Sequence, residues 1–375
     1  MSGIYIHIPF CKQACNYCDF HFSTSLKLKS NLIDSILSEI DLRHSYLVNK
    51  SIETIYFGGG TPSLLSEKEL FLVLEKIYKN YKVSSNAEIT LEANPDDLSV
   101  EKLKELKRLE INRLSIGLQS FNNEELIWMN RAHTATESEA SVKRAQDKGF
   151  ENISIDLIYG SKFSNHTNWK KTLDKAIALD VKHISSYNLT IEDKTKLGHD
   201  LKVKKEVAID DEKSSELFLE MIDRLEKNNF IQYEISNFGK ENYFSNHNSN
   251  YWKGIEYIGF GPSAHSFDGV SRQWNISNNS LYIKNVTDKN EAYFEKEILS
   301  ESDQFNEYIL TSLRTIWGID TLVLKSKFNS EILSSFNEKI KTYISSDMVS
   351  FSNNKYVLTS NGKLFADKIA SELFV

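Results

Sequence analysis

The chain has 375 residues, 40% hydrophobic and 26% charged, with a formal net charge of −7. That composition supports a proper buried core and excludes wholesale disorder, a collagen-like fibre and a small disulfide-stapled scaffold. The length allows two or three domains at roughly 150 residues each, or one large barrel with an extension. The acidic balance argues against a nucleic-acid partner, and no apolar run reaches the roughly 18–20 residues of a membrane span. The start, MSGIYIHIPF, has no basic region followed by a long apolar stretch, so no signal peptide is read and a cytoplasmic protein is expected.

The first two hundred residues alternate strand-like and helix-like patterns. β-rich runs occur at Ile4–Ile8, Thr54–Phe57, Glu88–Leu91, Arg113–Leu118, Ile153–Ile158 and His183–Leu189. Between them, helical apolar spacing covers about Leu28–Leu47, Ser66–Tyr78, Ser99–Leu109, Glu137–Lys148 and Trp169–Ala178. Strands alternating with helices indicate right-handed parallel βαβ units. Six such units predict an α/β fold, a partial (β/α)6 barrel, with an open doubly wound sheet as the competitor. The charge-rich stretch 192–212 reads as a solvated linker, followed by a helix over about Asp211–Lys227. Residues 1–230 thus form the barrel, and 231–300 an aromatic, Asn-rich connecting segment. Residues 301–375 read as a separate α+β, winged-helix-like module: two helices, a hairpin turning at Asn353–Asn354, and a last helix capped by Ser360.

Rare residues cluster at the strand ends. The four prolines sit in HIPFC, GGGTPS, EANP and GFGPSAHS, and all three cysteines lie at Cys11, Cys15 and Cys18. In parallel β/α folds the active site gathers at the C-terminal strand ends. A disulfide framework does not suit three close cysteines without a secretion signal. A Cys3His zinc site with His7 or His21 is a competitor. An ordinary [4Fe–4S] cluster uses four thiolates, so a cluster held here would keep one iron open to another ligand.

CxxxCxxC with Tyr17 before its last cysteine resembles the signature of radical S-adenosylmethionine (SAM) proteins. The resemblance implies a [4Fe–4S] cluster on Cys11, Cys15 and Cys18 that takes SAM at its open iron. It also implies an electron donor as partner, since SAM cleavage to methionine and a 5′-deoxyadenosyl radical consumes an electron. YIHIPFC, YFGGGTPS, LEANP, RLSIGLQSF, DLIYG, HNxxYW and GPSAHS extend the match over nearly the whole chain. They narrow it to the branch that holds oxygen-independent coproporphyrinogen III oxidase and its heme-chaperone sibling. By this resemblance Gly59, Gly60 and Thr61 hold the methionine amino group, in a loop whose glycines let backbone approach a ligand. Glu92, Gln119, Arg131 and Asp156 contact SAM at the barrel mouth, with Tyr5 and the Tyr17 backbone nearby. His133 stays open between the surface and the pocket.

The departures bear on the choice between siblings. The oxidase has a further cysteine two residues after the triad, where this chain has Phe20, and an N-terminal arm ahead of its cysteines, whereas Cys11 stands near the start here. The HNxxYW motif (His247, Asn248, Tyr251 and Trp252) sets a histidine beside aromatics, as around a heme. His247 is therefore the first candidate for a heme ligand; His265, in GPSAHSF, is the second, although by the resemblance its match lies nearer the SAM site. A heme chaperone with apo-hemoprotein acceptors is the favoured reading; oxidative decarboxylation of coproporphyrinogen stays open as the alternative. The oligomeric state also stays open, a homodimer included.

Overall fold

A computed structural model describes residues 2–208, 210–289 and 294–375. Six parallel strands alternate with helices: β1 (Ser2–Ile8), β2 (Ser51–Gly59), β3 (Lys82–Ala93), β4 (Arg113–Gln119), β5 (Asn152–Tyr159) and β6 (His183–Asn188). They pair in chain order, all parallel, as the βαβ reading predicts. The crossover helices form for local reasons. Helix Glu67–Asn80, for example, starts at a Ser66–Glu69 capping box and buries Leu70, Val73, Leu74 and Ile77 at helical spacing.

The sheet extends beyond these six strands. At one edge β7 (Ile231–Glu234) and β8 (Asn237–Gly239) continue past β6. At the other edge come β9 (Tyr257–Phe260), β10 (His265–Phe267), β11 (Ser271–Asn275) and β12 (Phe294–Ile298), giving the order β12-β11-β10-β9-β1-β2-β3-β4-β5-β6-β8-β7. β9 pairs in parallel with β1, so it is a seventh parallel strand. The stretch read as a connecting segment therefore lies within the sheet, on both flanks.

Strand alternation divides two environments. Ile4, Ile6 and Ile8, Ile55 and Phe57, and Leu114, Ile116 and Leu118 are fully buried; they point outward under the helices. The opposite parity faces the lumen and is polar: Tyr5, Tyr56, Glu92, Arg113, Ser115, Asp156 and Ser185 share that face through the strand register.

The C-terminal residues hold their own core around Phe305, Ile309, Phe336 and Ile369. Helices Glu301–Leu313, Thr321–Lys327 and Ser330–Ser345 pack with a small sheet of β13 (Ile319–Asp320), β14 (Val349–Ser352) and β15 (Lys355–Leu358). Asn353 and Asn354 both turn with positive φ, 50° and 63°, which asparagine tolerates. The final cap falls on Thr359, not Ser360: the Gly362 N–H donates to the Thr359 hydroxyl, and the helix breaks into Ser360–Lys363 and Ala366–Leu373. Arg314 joins this part to β7 through Glu234 at 3.1 Å. Among the described residues no helix is long and apolar enough to cross a membrane.

Candidate cofactor site at the barrel mouth

The loop after β1 carries the three cysteines, all half-buried. Its shape is fixed by backbone bonds to the rest of the mouth. Cys11 N–H donates to Ser23 O at 3.0 Å, Asn16 N–H to Met129 O at 3.0 Å, and Leu197 N–H to Asn16 O at 2.9 Å. Asn130 holds the loop through Ala14 O at 2.7 Å. Burial pushes the Cys11 thiol up to about 11, so binding a metal there must displace its proton. Phe20 is 72% exposed beside this loop.

The two imidazoles that a zinc site would borrow are engaged elsewhere. His7 is hydrogen-bonded to the Tyr5 hydroxyl and to His21 O, both at 3.1 Å, and His21 Nε2 to Asn279 at 2.8 Å. Among the described residues no three His, Cys, Asp or Glu groups converge on one ion.

Gly59, at φ +106°, and Gly60 close the loop after β2. A Cβ at Gly60 would lie 2.6 Å from Phe10 O and one at Gly59 2.6 Å from the His7 ring, so both positions require glycine before any ligand is considered. The N–H groups are used internally: Gly59 donates to Glu92 Oε2 at 3.1 Å, Gly60 to Ile8 O at 2.9 Å and Thr61 to Phe10 O at 2.7 Å. What such a loop can offer a ligand's ammonium is therefore carbonyl oxygen.

Arg131 reaches over the same mouth. It donates to Cys15 Sγ at 3.3 Å, Asn94 Oδ1 at 2.6 Å and Gly117 O at 2.8 Å, while its Nε is buried without a partner. A buried guanidinium with a spare donor fits a carboxylate. Gln119 follows at φ 66°, and Tyr17 packs on the apolar cluster of Met129, Ile158, Leu189 and Leu197. His133 is buried, with Nε2 on Leu118 O at 3.1 Å and Nδ1 unpartnered. That places it inside and neutral, its pKa lowered by burial to about 4.

Beneath the mouth, Glu92 accepts from Tyr56 at 2.8 Å and Asp156 from Ser115 at 3.3 Å. Burial raises Glu92 to about 7, helped by the Asp156 charge, and Asp156 to about 6 against the pull of Arg113 and its hydroxyl partners. Between them in the sheet stands Arg113, 1% exposed, with Nε and Nη1 unpartnered. Its charge lowers both acids without a direct bond. Neither Arg113 nor Tyr56 was singled out by the sequence reading, although both fall at lumen parity on their strands.

The titration has a measurable consequence. SAM is a cation, and a carboxylate holds it better than a carboxylic acid. Glu92 faces Tyr56, Tyr5, Arg113, Asp156 and the Gly59 N–H, so its proton is the one that leaves near neutrality. Affinity for SAM in the cluster-loaded chain is expected to rise about tenfold from pH 6 to pH 8, and Glu92→Gln to flatten that rise. A pH-independent affinity in the parent would remove Glu92 from the site.

His247 lies elsewhere. It sits 2% exposed in the short helix Asn246–Trp252, whose first N–H groups are capped by Glu88 at 3.1 and 3.0 Å. Its Nδ1 is hydrogen-bonded to Thr54 and its Nε2 to Tyr251, both at 2.8 Å. Thr54 and Gly3, which touch it, lie in the N-terminal halves of β2 and β1. The histidine therefore plugs the barrel floor, opposite the thiols. Both ring nitrogens of the heme-ligand candidate are thus engaged within the protein. Trp252 of the same motif lies under Arg314, 5.4 Å from its ring centre.

A parallel partial barrel with a three-cysteine loop, a glycine turn and a charged mouth defines a radical SAM protein, and the radical SAM superfamily profile matches residues 5–176. The chain is 33% identical to heme chaperone HemW of Bacillus subtilis over 375 residues, covering 98% of each. It is 35% identical to heme chaperone HemW of Escherichia coli over 70% of this chain and 69% of that one. Coproporphyrinogen III oxidase (HemN) from Escherichia coli superposes with a TM-score of 0.86, covering 100% of this chain and 90% of that one at 21% identity, a likeness of fold. Within the superfamily, the chain belongs to the heme chaperone HemW family.

Proposed function

We propose that this chain binds heme and delivers it to apo-hemoproteins. The observation that carries the reading is the full-length match to heme chaperone HemW of Bacillus subtilis, 33% identical across 98% of both chains. Phe20, where the sibling oxidase has a cysteine, supports the same side.

Cys11, Cys15 and Cys18 would hold a [4Fe–4S] cluster, and Gly59, Gly60, Thr61, Glu92, Gln119, Arg131 and Asp156 would hold SAM, with Tyr5 and Tyr17 at its border. When bound, such a cluster can pass an electron from a donor protein to SAM. In this reading the protein's own residues fix charge around that site. Arg131 offers its spare Nε to a carboxylate, Glu92 and Asp156 face the cationic part, and the Gly59–Thr61 loop offers carbonyl oxygens.

The test is one anaerobic preparation examined twice. Hemin titration should give a saturable Soret shift, and the loaded chain should pass heme to an apo-hemoprotein. Coproporphyrinogen III, offered with SAM and a reductant, should yield no vinyl product by chromatography. Heme affinity no better than that of an unrelated control protein would overturn the proposal. Vinyl products over many turnovers would replace it with the oxidase.

A further inference from the structure

The inner face of the barrel continues sideways onto an open sheet. Gly3 and Tyr5 of β1 pair with Tyr257 and Gly259 of β9, Tyr257 with Phe267 of β10, and His265 and Phe267 with Trp274 and Arg272 of β11. By strand parity Tyr257, His265, Phe267, Arg272 and Trp274 therefore share one face. The alternate residues Ser266, Ser271, Gln273 and Asn275 are buried. Arg43 binds that hidden side, at 3.0 Å from Ser266 and 3.1 Å from Gln273. The near face is exposed at His265 and half-exposed at the other four.

His265 differs from three of the four buried histidines, His133 being the one with a spare Nδ1. His7, His183 and His247 each have both ring nitrogens hydrogen-bonded. His265 has no protein partner on either nitrogen among the described residues, and its ring stacks on Trp274 with centroids 6.0 Å apart and planes at 27°. Tyr257 beside it meets Tyr251 edge-on at 4.6 Å. The HNxxYW motif thus reaches this face through Tyr251, which His247 holds from behind.

Resting on the chaperone reading, we infer that heme lies against this β9–β11 face, with His265 as its iron ligand and Trp274 and Tyr257 flanking the macrocycle. A neutral imidazole with a free nitrogen is what heme iron takes, and partial desolvation on this face together with Arg272 lowers the His265 pKa. Flat aromatic surface suits a porphyrin ring. The other charged groups on this face are Arg272, bound to Glu307 at 2.9 Å, Glu295, bound to Trp274 Nε1 at 3.2 Å, and Glu297, paired across from Arg272. An open face also suits delivery. One side of the macrocycle stays toward solvent, where an acceptor's own ligand can displace His265.

The experiment titrates hemin into the full-length chain and follows the Soret band and tryptophan fluorescence. His265→Gly should lose the parent's band shift and weaken binding at least about tenfold, the cost of one good ligand bond. Added imidazole should restore the band, an outcome a folding defect does not give. His265→Gln serves as the second variant, and His199→Ala, at the other exposed histidine without a protein partner, should bind like the parent. Trp274→Leu should weaken binding and remove most of the quenching. If His265→Gly and His265→Gln bind like the parent, the ligand assignment falls and the chaperone reading stands. If only His247→Ala loses the band, the floor histidine is the ligand and this inference is overturned. If the parent does not bind heme above an unrelated control, both fall.

Discussion

A Cys15→Ala chain, reconstituted without oxygen, is expected to hold none of the roughly four irons and four sulfides of the parent and to lack the broad thiolate-to-iron absorption. The chain has only three cysteines, so no spare thiol can replace Cys15. The loop cannot rearrange freely to recruit another donor: Asn16 and Ala14, which flank Cys15, are tied to Met129, Leu197 and Asn130. Arg131 lies 3.3 Å from Cys15 Sγ. Removing the thiol leaves that guanidinium facing the missing ligand. The barrel should stay folded, because its core lies in the outward faces of the strands and not in this loop. Circular dichroism should match the parent while iron and sulfide analysis reads near zero. A colourless parent with one zinc per chain would contradict the cluster, and full iron in the variant would contradict the role of Cys15.

The legible parts of the sequence were those whose signal is local. The six barrel strands showed as apolar runs because Ile4, Ile6 and Ile8, or Leu114, Ile116 and Leu118, alternate over several residues. Their lengths were underestimated where a strand starts among exposed polar residues. β3 runs from Lys82 to Ala93, yet only Glu88–Leu91 looked like strand. The mouth was legible because cysteine and glycine are rare here and fall at strand ends. The flanking strands β7–β12 were not, since each has only three to five residues. Their inward polar groups find partners only in the fold, as Ser266 and Gln273 find Arg43. His247 shows the same limit from the other side. Its type and neighbours suggested a heme ligand, but Thr54 and Tyr251 already occupy its nitrogens, and Thr54 is 193 residues away in the chain.

Strands β9–β11 hang on one carboxylate, and its removal is expected to have the largest effect on stability. Glu39, in helix Lys29–Leu42, is fully buried. Its Oε1 accepts from Arg43 and from Asn275 Nδ2, both at 2.8 Å, and its Oε2 from Gly261 N–H at 2.9 Å and the Tyr282 hydroxyl at 2.6 Å. Arg43 in turn donates to Gly259 O at 3.0 Å and to β10 and β11. Glu39→Ala would strand four donors, one of them on a buried cation, and should cost about 3–5 kcal/mol, the range for breaking a buried pair by one partner. Glu39→Gln should cost less, since it keeps the shape and one accepting oxygen. The damage should be local before it is global. Hydrogen exchange should quicken over 257–275 while the β2–β5 amides keep their protection. Heme affinity should fall with the β9–β11 face while iron content stays at the parent's value, because the cysteine loop takes no bond from Glu39. A denaturant midpoint within the parent's error would mean that Glu39 does not anchor these strands.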